Sequence, residues 1–114
     1  MAVKPLVFLG SARADLRALP DGPRRRAGHE LDLIQQGFEP SDFKPMPSVG
    51  TGVYELRIRV QGAFRVFYVA RFEEAIYVLH VFQKKSQRTS PLDLDVGATR
   101  YRALLAQRRS RAGG

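Results

Sequence analysis

The stretch Val53 to Phe72, VYELRIRVQGAFRVFYVARF, decides the fold. Tyr54, Leu56, Ile58 and Val60 alternate with Glu55, Arg57 and Arg59, which is the two-residue period of a strand with one buried face. Ala63 to Phe72 is rich in aromatic and branched residues and reads as a second strand. Between them Val60, Gln61 and Gly62 form a three-residue hairpin loop, a type I turn closed by glycine in the left-handed region. That loop sets Arg59 against Ala63 and Arg57 against Arg65, with Leu56 and Ile58 beside Val66 and Phe64. A two-residue loop of Gln61 and Gly62 would instead place Arg65 among the core side chains. Burying an unpaired guanidinium costs several kcal/mol, so the three-residue loop is the one expected.

Working outward, Ala75 to Phe82 (AIYVLHVF) continues the antiparallel sheet as a third strand. A two-residue turn at Glu73 and Glu74 would set Leu79 and Val81 with Tyr68 and Val66. His80, Phe82 and Lys84 would then share the arginine face, so that Arg57, Arg59, Arg65, His80 and Lys84 surround Phe67. Like charges facing each other across strands are destabilising, and Glu55 is the only acid nearby. An anionic ligand would supply the missing compensation.

The flanks complete an α+β chain. Lys4 to Gly10 reads as a short strand, and Ser11 opens a helix that Pro20 ends after Leu19. Asp21 and Pro23 start a second helix with Ala27, Leu31 and Ile34 on one face and Gly37 as its stop. Pro40, Pro45, Pro47, Gly50 and Gly52 make Phe38 to Gly52 a surface loop. Ser90, Pro91, Leu92 and Asp93 form a capping box with proline at the first helical position. The helix that follows should run to about Arg109, with Leu94, Ala98, Tyr101 and Leu105 against the sheet. The expected architecture is a strand, two N-terminal helices, a three-stranded antiparallel sheet continuing the first strand, and a C-terminal helix, in one domain over residues 1–114.

Composition narrows the chemistry. Of the 114 residues, 44% are apolar and 26% charged, as in a folded protein with its own core. Arginine supplies 15 of the 19 basic residues in a chain of net charge +8, and its planar fork matches phosphate oxygens in pairs. The excess is uneven: residues 53 to 114 carry 12 basic and 5 acidic side chains, against 7 and 6 before them. With no cysteine there is no disulfide, zinc knuckle or thiol nucleophile. Two isolated histidines and scattered carboxylates give no metal set, and no glycine-rich phosphate loop or Ser/His/Asp set can be assembled, so no cofactor is expected. No apolar run approaches the roughly 18 residues of a membrane span, and no secretory signal opens the chain, so the expected location is the cytoplasm with no membrane partner.

Taken together, Gly52 to Arg65 (GVYELRIRVQGAFR), Ile76 to Thr89 (IYVLHVFQKKSQRT) and the helix opening at Ser90 to Leu94 resemble the HigB-like, phage-derived branch of the RelE/ParE superfamily of bacterial toxins. The order of elements agrees over nearly the whole chain. The resemblance implies a RelE-like microbial ribonuclease-type fold and a metal-independent endoribonuclease, an mRNA interferase, that acts on ribosome-bound mRNA. It implies as partners the ribosome, mRNA and a HigA-like helix-turn-helix antitoxin. Its catalytic basic residues fall on Arg57, Arg65 and either Lys84 or Lys85. The tyrosine that several of its enzymes use after the last strand has no counterpart here, where Ser86, Thr89 and Ser90 precede Tyr101. His80 joins the expected catalytic set as the histidine nearest this site, imidazole being the general acid or base most used near neutral pH. Arg59, Phe67, Arg88, Arg100 and Arg102 complete the expected RNA contacts. Two rivals stand beside the nuclease: a ParE-like gyrase inhibitor and an inactive phage-derived binding module. The full basic set favours the nuclease.

Overall fold

The structure, a computed structural model, describes residues 3–113. A mixed five-stranded sheet carries helices on both faces. Its strands are β1 (Leu6–Phe8), β2 (Phe43–Pro45), β3 (Val53–Ile58), β4 (Phe64–Val69) and β5 (Ile76–Gln83), in the order β1-β5-β4-β3-β2. Strand β1 runs parallel to β5, and the other neighbours are antiparallel. The helices are α1 (Ala12–Arg17), α2 (Asp21–Gln35) and α3 (Pro91–Gly113). Among the described residues no helix is long and apolar enough to cross a membrane.

One face of the sheet is closed by α1 and α2, whose Ala12, Ala27, Leu31 and Ile34 pack with Leu56, Ile58, Phe64, Val66, Tyr68 and Val78. Ala27, Leu31 and Ile34 supply the apolar stripe expected of α2, and Gly37, at φ +90°, ends that helix in the left-handed region. Helix α3 covers part of the other face. Its Tyr101 and Leu104 are buried with Val53, Phe67, Val69, Tyr77 and Leu79, while Leu94 and Leu105 are only partly covered. Half of the expected capping box forms: the Ser90 hydroxyl accepts the Asp93 backbone N–H at 3.1 Å, but the Asp93 carboxylate takes the Ser90 hydroxyl at 2.7 Å rather than the Ser90 backbone N–H.

Several expectations are corrected. The segment read as a loop contains β2, an edge strand paired Phe43 to Leu56, Lys44 to Glu55 and Pro45 to Tyr54. Proline is tolerated there because an edge strand has a side on which no ladder hydrogen bond is lost. Ser11 holds the N-cap position of α1 as expected, but its hydroxyl makes no cap bond and donates to the Asp15 carboxylate at 2.7 Å instead. Helix α1 stops at Arg17, two residues short of Leu19, and α3 continues past Arg109 to Gly113.

In the first hairpin the register is the expected one, Arg57 opposite Arg65 and Ile58 opposite Phe64. The left-handed position falls on Gln61 at φ +54°, with Gly62 at φ +133°. The second hairpin differs. Near its turn Val69 pairs with Tyr77 and Tyr68 with Val78, one residue off the register of a two-residue turn. A β-bulge between Phe67 and Tyr68 then absorbs the difference, so Phe67 faces His80 and Arg65 faces Phe82 as expected. Leu79 is the extra residue, and it lies in the core beneath α3 rather than with Tyr68 and Val66.

Candidate active site

Because α3 covers only part of its face, the end of the sheet formed by Glu55, Arg57, Arg65, Phe82 and Lys84 stays open. Alternation along β3 and β4 brings the first three together. Glu55 is completely buried and is the shared anchor: Arg57 Nε lies 3.4 Å and Arg65 Nε 3.5 Å from its Oε1. Lys44 Nζ from β2 stands 4.0 Å from the same oxygen, and Thr89 Oγ1 donates to Oε2 at 3.4 Å. Arg65 is itself 94% buried at its side chain and donates from Nη1 to the Phe64 carbonyl at 2.9 Å. A guanidinium held this deep needs a carboxylate beside it, since either charge alone would cost several kcal/mol. Its Nε nevertheless lacks a well-aligned hydrogen bond. Burial, together with the charges of Arg59 and Arg57, lowers the Arg65 pKa against the pull of Glu55.

On the outer side, Asp42 orders the other two arginines. Arg59 Nε bonds its Oδ2 at 3.1 Å, and Arg57 Nη1 stands 3.7 Å from Oδ1. Past the end of β5 lies a cleft of about 410 Å³ lined by Phe82, Gln83, Lys84, Lys85, Ser86, Arg88, Ser90 and Asp93. The Lys84 backbone N–H bonds the Ala63 carbonyl at 2.7 Å, which fixes this lysine beside the hairpin. Partial burial, and then the charge of Arg65, lowers the Lys84 pKa, so its proton is given up more readily than an ordinary lysine's. Among the described residues none of Lys84, Lys85 and Arg88 has an ion-pair partner.

The structure therefore brings Arg57, Arg65, Lys84, Lys85 and Arg88 to one end of the sheet, with Arg59 alongside. Four other expected site residues are placed elsewhere. Phe67 is fully buried under α3, where a side-chain carbon on Gly97 would come within 2.8 Å of its ring, so it offers no face to a base. Arg100 points inward: it donates to the Leu79 carbonyl at 2.9 Å and to Ser11 Oγ at 3.0 Å, stapling α3 to the bulge. Arg102 is exposed on α3 and, among the described residues, bonds only Thr99 of its own helix, at 3.3 Å. His80 is buried, stacked on Phe82 at 4.7 Å, with Nε2 2.7 Å from Asp93 Oδ1 and Nδ1 without a partner. It joins β5 to the first turn of α3 and does not line the cleft.

Sequence reasoning missed Asp42 and Lys44. The signal was the alternation Asp42, Phe43, Lys44, masked by the prolines on either side. An α+β chain with a mixed sheet and a cationic cleft at the sheet's open end has an architecture compatible with the RelE-like fold. Residues 14–102 match the family described as phage-derived protein Gp49-like (DUF891), and the chain belongs to that family. No curated protein matches it.

Proposed function

We propose that this protein is a HigB-like toxin: an endoribonuclease that cuts ribosome-bound mRNA in the cytoplasm and is neutralised by a co-expressed HigA-like helix-turn-helix antitoxin. The observation that carries the reading is the convergence of Arg57 and Arg65 on one oxygen of Glu55, next to a cleft whose Lys84, Lys85 and Arg88 have no ion-pair partner among the described residues. Membership of a phage-derived family and the resemblance of its motifs to RelE-type toxins support it.

The reaction uses the substrate's own 2′-hydroxyl. That oxygen attacks the adjacent phosphorus, the bond to the 5′-oxygen breaks, and a 2′,3′-cyclic phosphate and a 5′-hydroxyl end result. One proton passes from the 2′-oxygen to solvent water and one is delivered to the 5′-oxygen. The guanidinium of Arg57 is aimed by Glu55 and stabilises the extra negative charge on the phosphorane, while buried Arg65 adds its charge from behind. Lys84, with its lowered pKa, donates to the leaving oxygen. Lys85 and Arg88 hold the flanking backbone.

Induced expression of the wild type is to be compared with Arg57→Ala and Lys84→Ala, two partly exposed positions whose truncation leaves the core intact. Growth arrest with fragmented mRNA that disappears in both variants is the expected outcome. Arrest that survives both substitutions while mRNA stays whole overturns the nuclease.

A further inference from the structure

We propose that the cleft between α2 and β3 is a second phosphate subsite, lined by Arg26, Arg57 and Arg59, that grips the single-stranded RNA backbone on the α2 side of the cleaved bond. This rests on the nuclease reading for what happens next door, but not for the binding itself.

The cleft has a volume of about 240 Å³ and joins Arg26 of α2 to Arg57 and to Arg59 just beyond β3. Each of its three arginines has a carboxylate at Nε, and Arg57 has a second one, Asp42, 3.7 Å from Nη1. Arg26 Nε lies 3.2 Å from Glu30 Oε1, Arg57 Nε 3.4 Å from Glu55 Oε1, and Arg59 Nε 3.1 Å from Asp42 Oδ2. A carboxylate at Nε fixes the plane of a guanidinium and leaves its two terminal nitrogens free, the pair that matches two phosphate oxygens. Among the described residues the terminal nitrogens of Arg26 and Arg59 have no partner, and their side chains are 50% and 64% exposed.

Glu30 shows that the Arg26 arrangement is more than a solvated surface pair. It is only 2% exposed, lies one helical turn from Arg26, and also accepts the Ser41 backbone N–H at 3.1 Å. Burial raises its pKa, but the bonds from Ser41 and Arg26 outweigh that and keep it ionised. A desolvated carboxylate is costly, and here it orients an arginine whose far end reaches water. The cleft also runs directly into the catalytic cluster, because Arg57 lines it and shares the Glu55 oxygen with Arg65. An RNA chain seated on Lys84 therefore meets Arg57 and then Arg59 and Arg26, whose guanidinium groups Glu55, Asp42 and Glu30 hold in place.

The test uses the full chain and a fluorescein-labelled single-stranded RNA carrying 2′-O-methyl groups throughout, which cannot be cleaved. Binding is read by anisotropy between about 50 and 200 mM salt. Arg26→Gln and Arg59→Gln should each weaken binding about tenfold and lower the salt slope by about 0.7. Arg25→Gln, an exposed neighbour outside the cleft, should leave the slope unchanged. Glu30→Gln discriminates further: net charge alone predicts tighter binding, whereas loss of orientation at Arg26 predicts weaker binding, and tighter binding overturns the proposal. Unchanged affinity in Arg26→Gln and Arg59→Gln, with ribosomal cleavage intact, sinks the subsite and spares the nuclease. Lost affinity in these variants with no cleavage by the wild type sinks the nuclease and spares the subsite. A wild type that does not bind the RNA at low salt, or an acidic protein that binds through these arginines where RNA does not, overturns it as well.

Discussion

Glycine to alanine should act with opposite signs at two helical positions. Gly28 sits in the middle of α2, exposed, with nothing within 4 Å of where a side-chain carbon would be. Alanine there gains only helix propensity, about 0.8–1.0 kcal/mol. Gly97 gains the same in α3, but its new carbon would lie 2.8 Å from Phe67 Cδ2 and 3.1 Å from Val49 Cγ1. Phe67 is fully buried between β4 and α3 and has no space to retreat into. Overpacking of this kind costs about 1–3 kcal/mol, so the clash exceeds the propensity gain. Gly28→Ala should stabilise the protein by nearly 1 kcal/mol, and Gly97→Ala should destabilise it by about 1 kcal/mol. Urea unfolding monitored by circular dichroism measures both. Shortening the obstructing ring in Gly97→Ala/Phe67→Leu should recover part of the loss relative to the sum of the single variants. A Gly97→Ala variant as stable as Gly28→Ala would refute the close approach of α3 to the sheet.

Arg100→Met should cost about 1–3 kcal/mol in the same assay, because the Leu79 carbonyl loses its donor inside the protein. Arg102→Gln, on the solvent side of the same helix, should stay within about 0.5 kcal/mol of the wild type. Glu74 is held at a pKa of about 2, from an ordinary 4.5, chiefly by the Arg108 guanidinium, which it binds through both oxygens. A lowered carboxylate pKa stabilises the fold above the ordinary value, and the benefit fades as pH falls from 4.5 toward 2. Glu74→Gln should flatten the stability curve across that window, as thermal melting at stepped pH would show, and an unchanged slope would contradict the pairing.

Much of the architecture is legible because its signals are local. The alternation in Val53 to Val60 fixes which residues of β3 face each helix layer, and the capping box at Ser90 fixes where α3 begins. The pairing of Arg57 with Arg65 follows from a loop length and the cost of burying a charge. Edge strand β2 is not legible in the same way, since proline spacing argues against a strand and only a free edge makes it acceptable. Depth is the other blind spot. Strand periodicity puts Phe67 on the arginine face correctly, yet nothing in the sequence says that α3 covers one half of that face and leaves the other open. Arg100 is hidden for a related reason: an arginine on an amphipathic helix reads as solvated until a bulge on the neighbouring strand frees a carbonyl for it.

The alignment of His80, Phe82 and Lys84 illustrates a subtler point. A two-residue turn at Glu73 and Glu74 gives their correct partners, although the register beside that turn is one residue different. The bulge restores the difference before the strand reaches the site.

That bulge also separates two lengths that are usually bound together. Removal of Leu79 alone would leave a regular ladder with the pairing intact on both sides, Tyr68 with Val78 and Phe67 with His80. In evolutionary terms β5 carries one slack residue, whose deletion leaves the position of the cationic cleft unchanged. What such a deletion removes is local: a core side chain under α3 and the carbonyl that Arg100 grips. Chains differing in length at this point can thus share one active-site geometry while differing in how firmly the last helix is fastened.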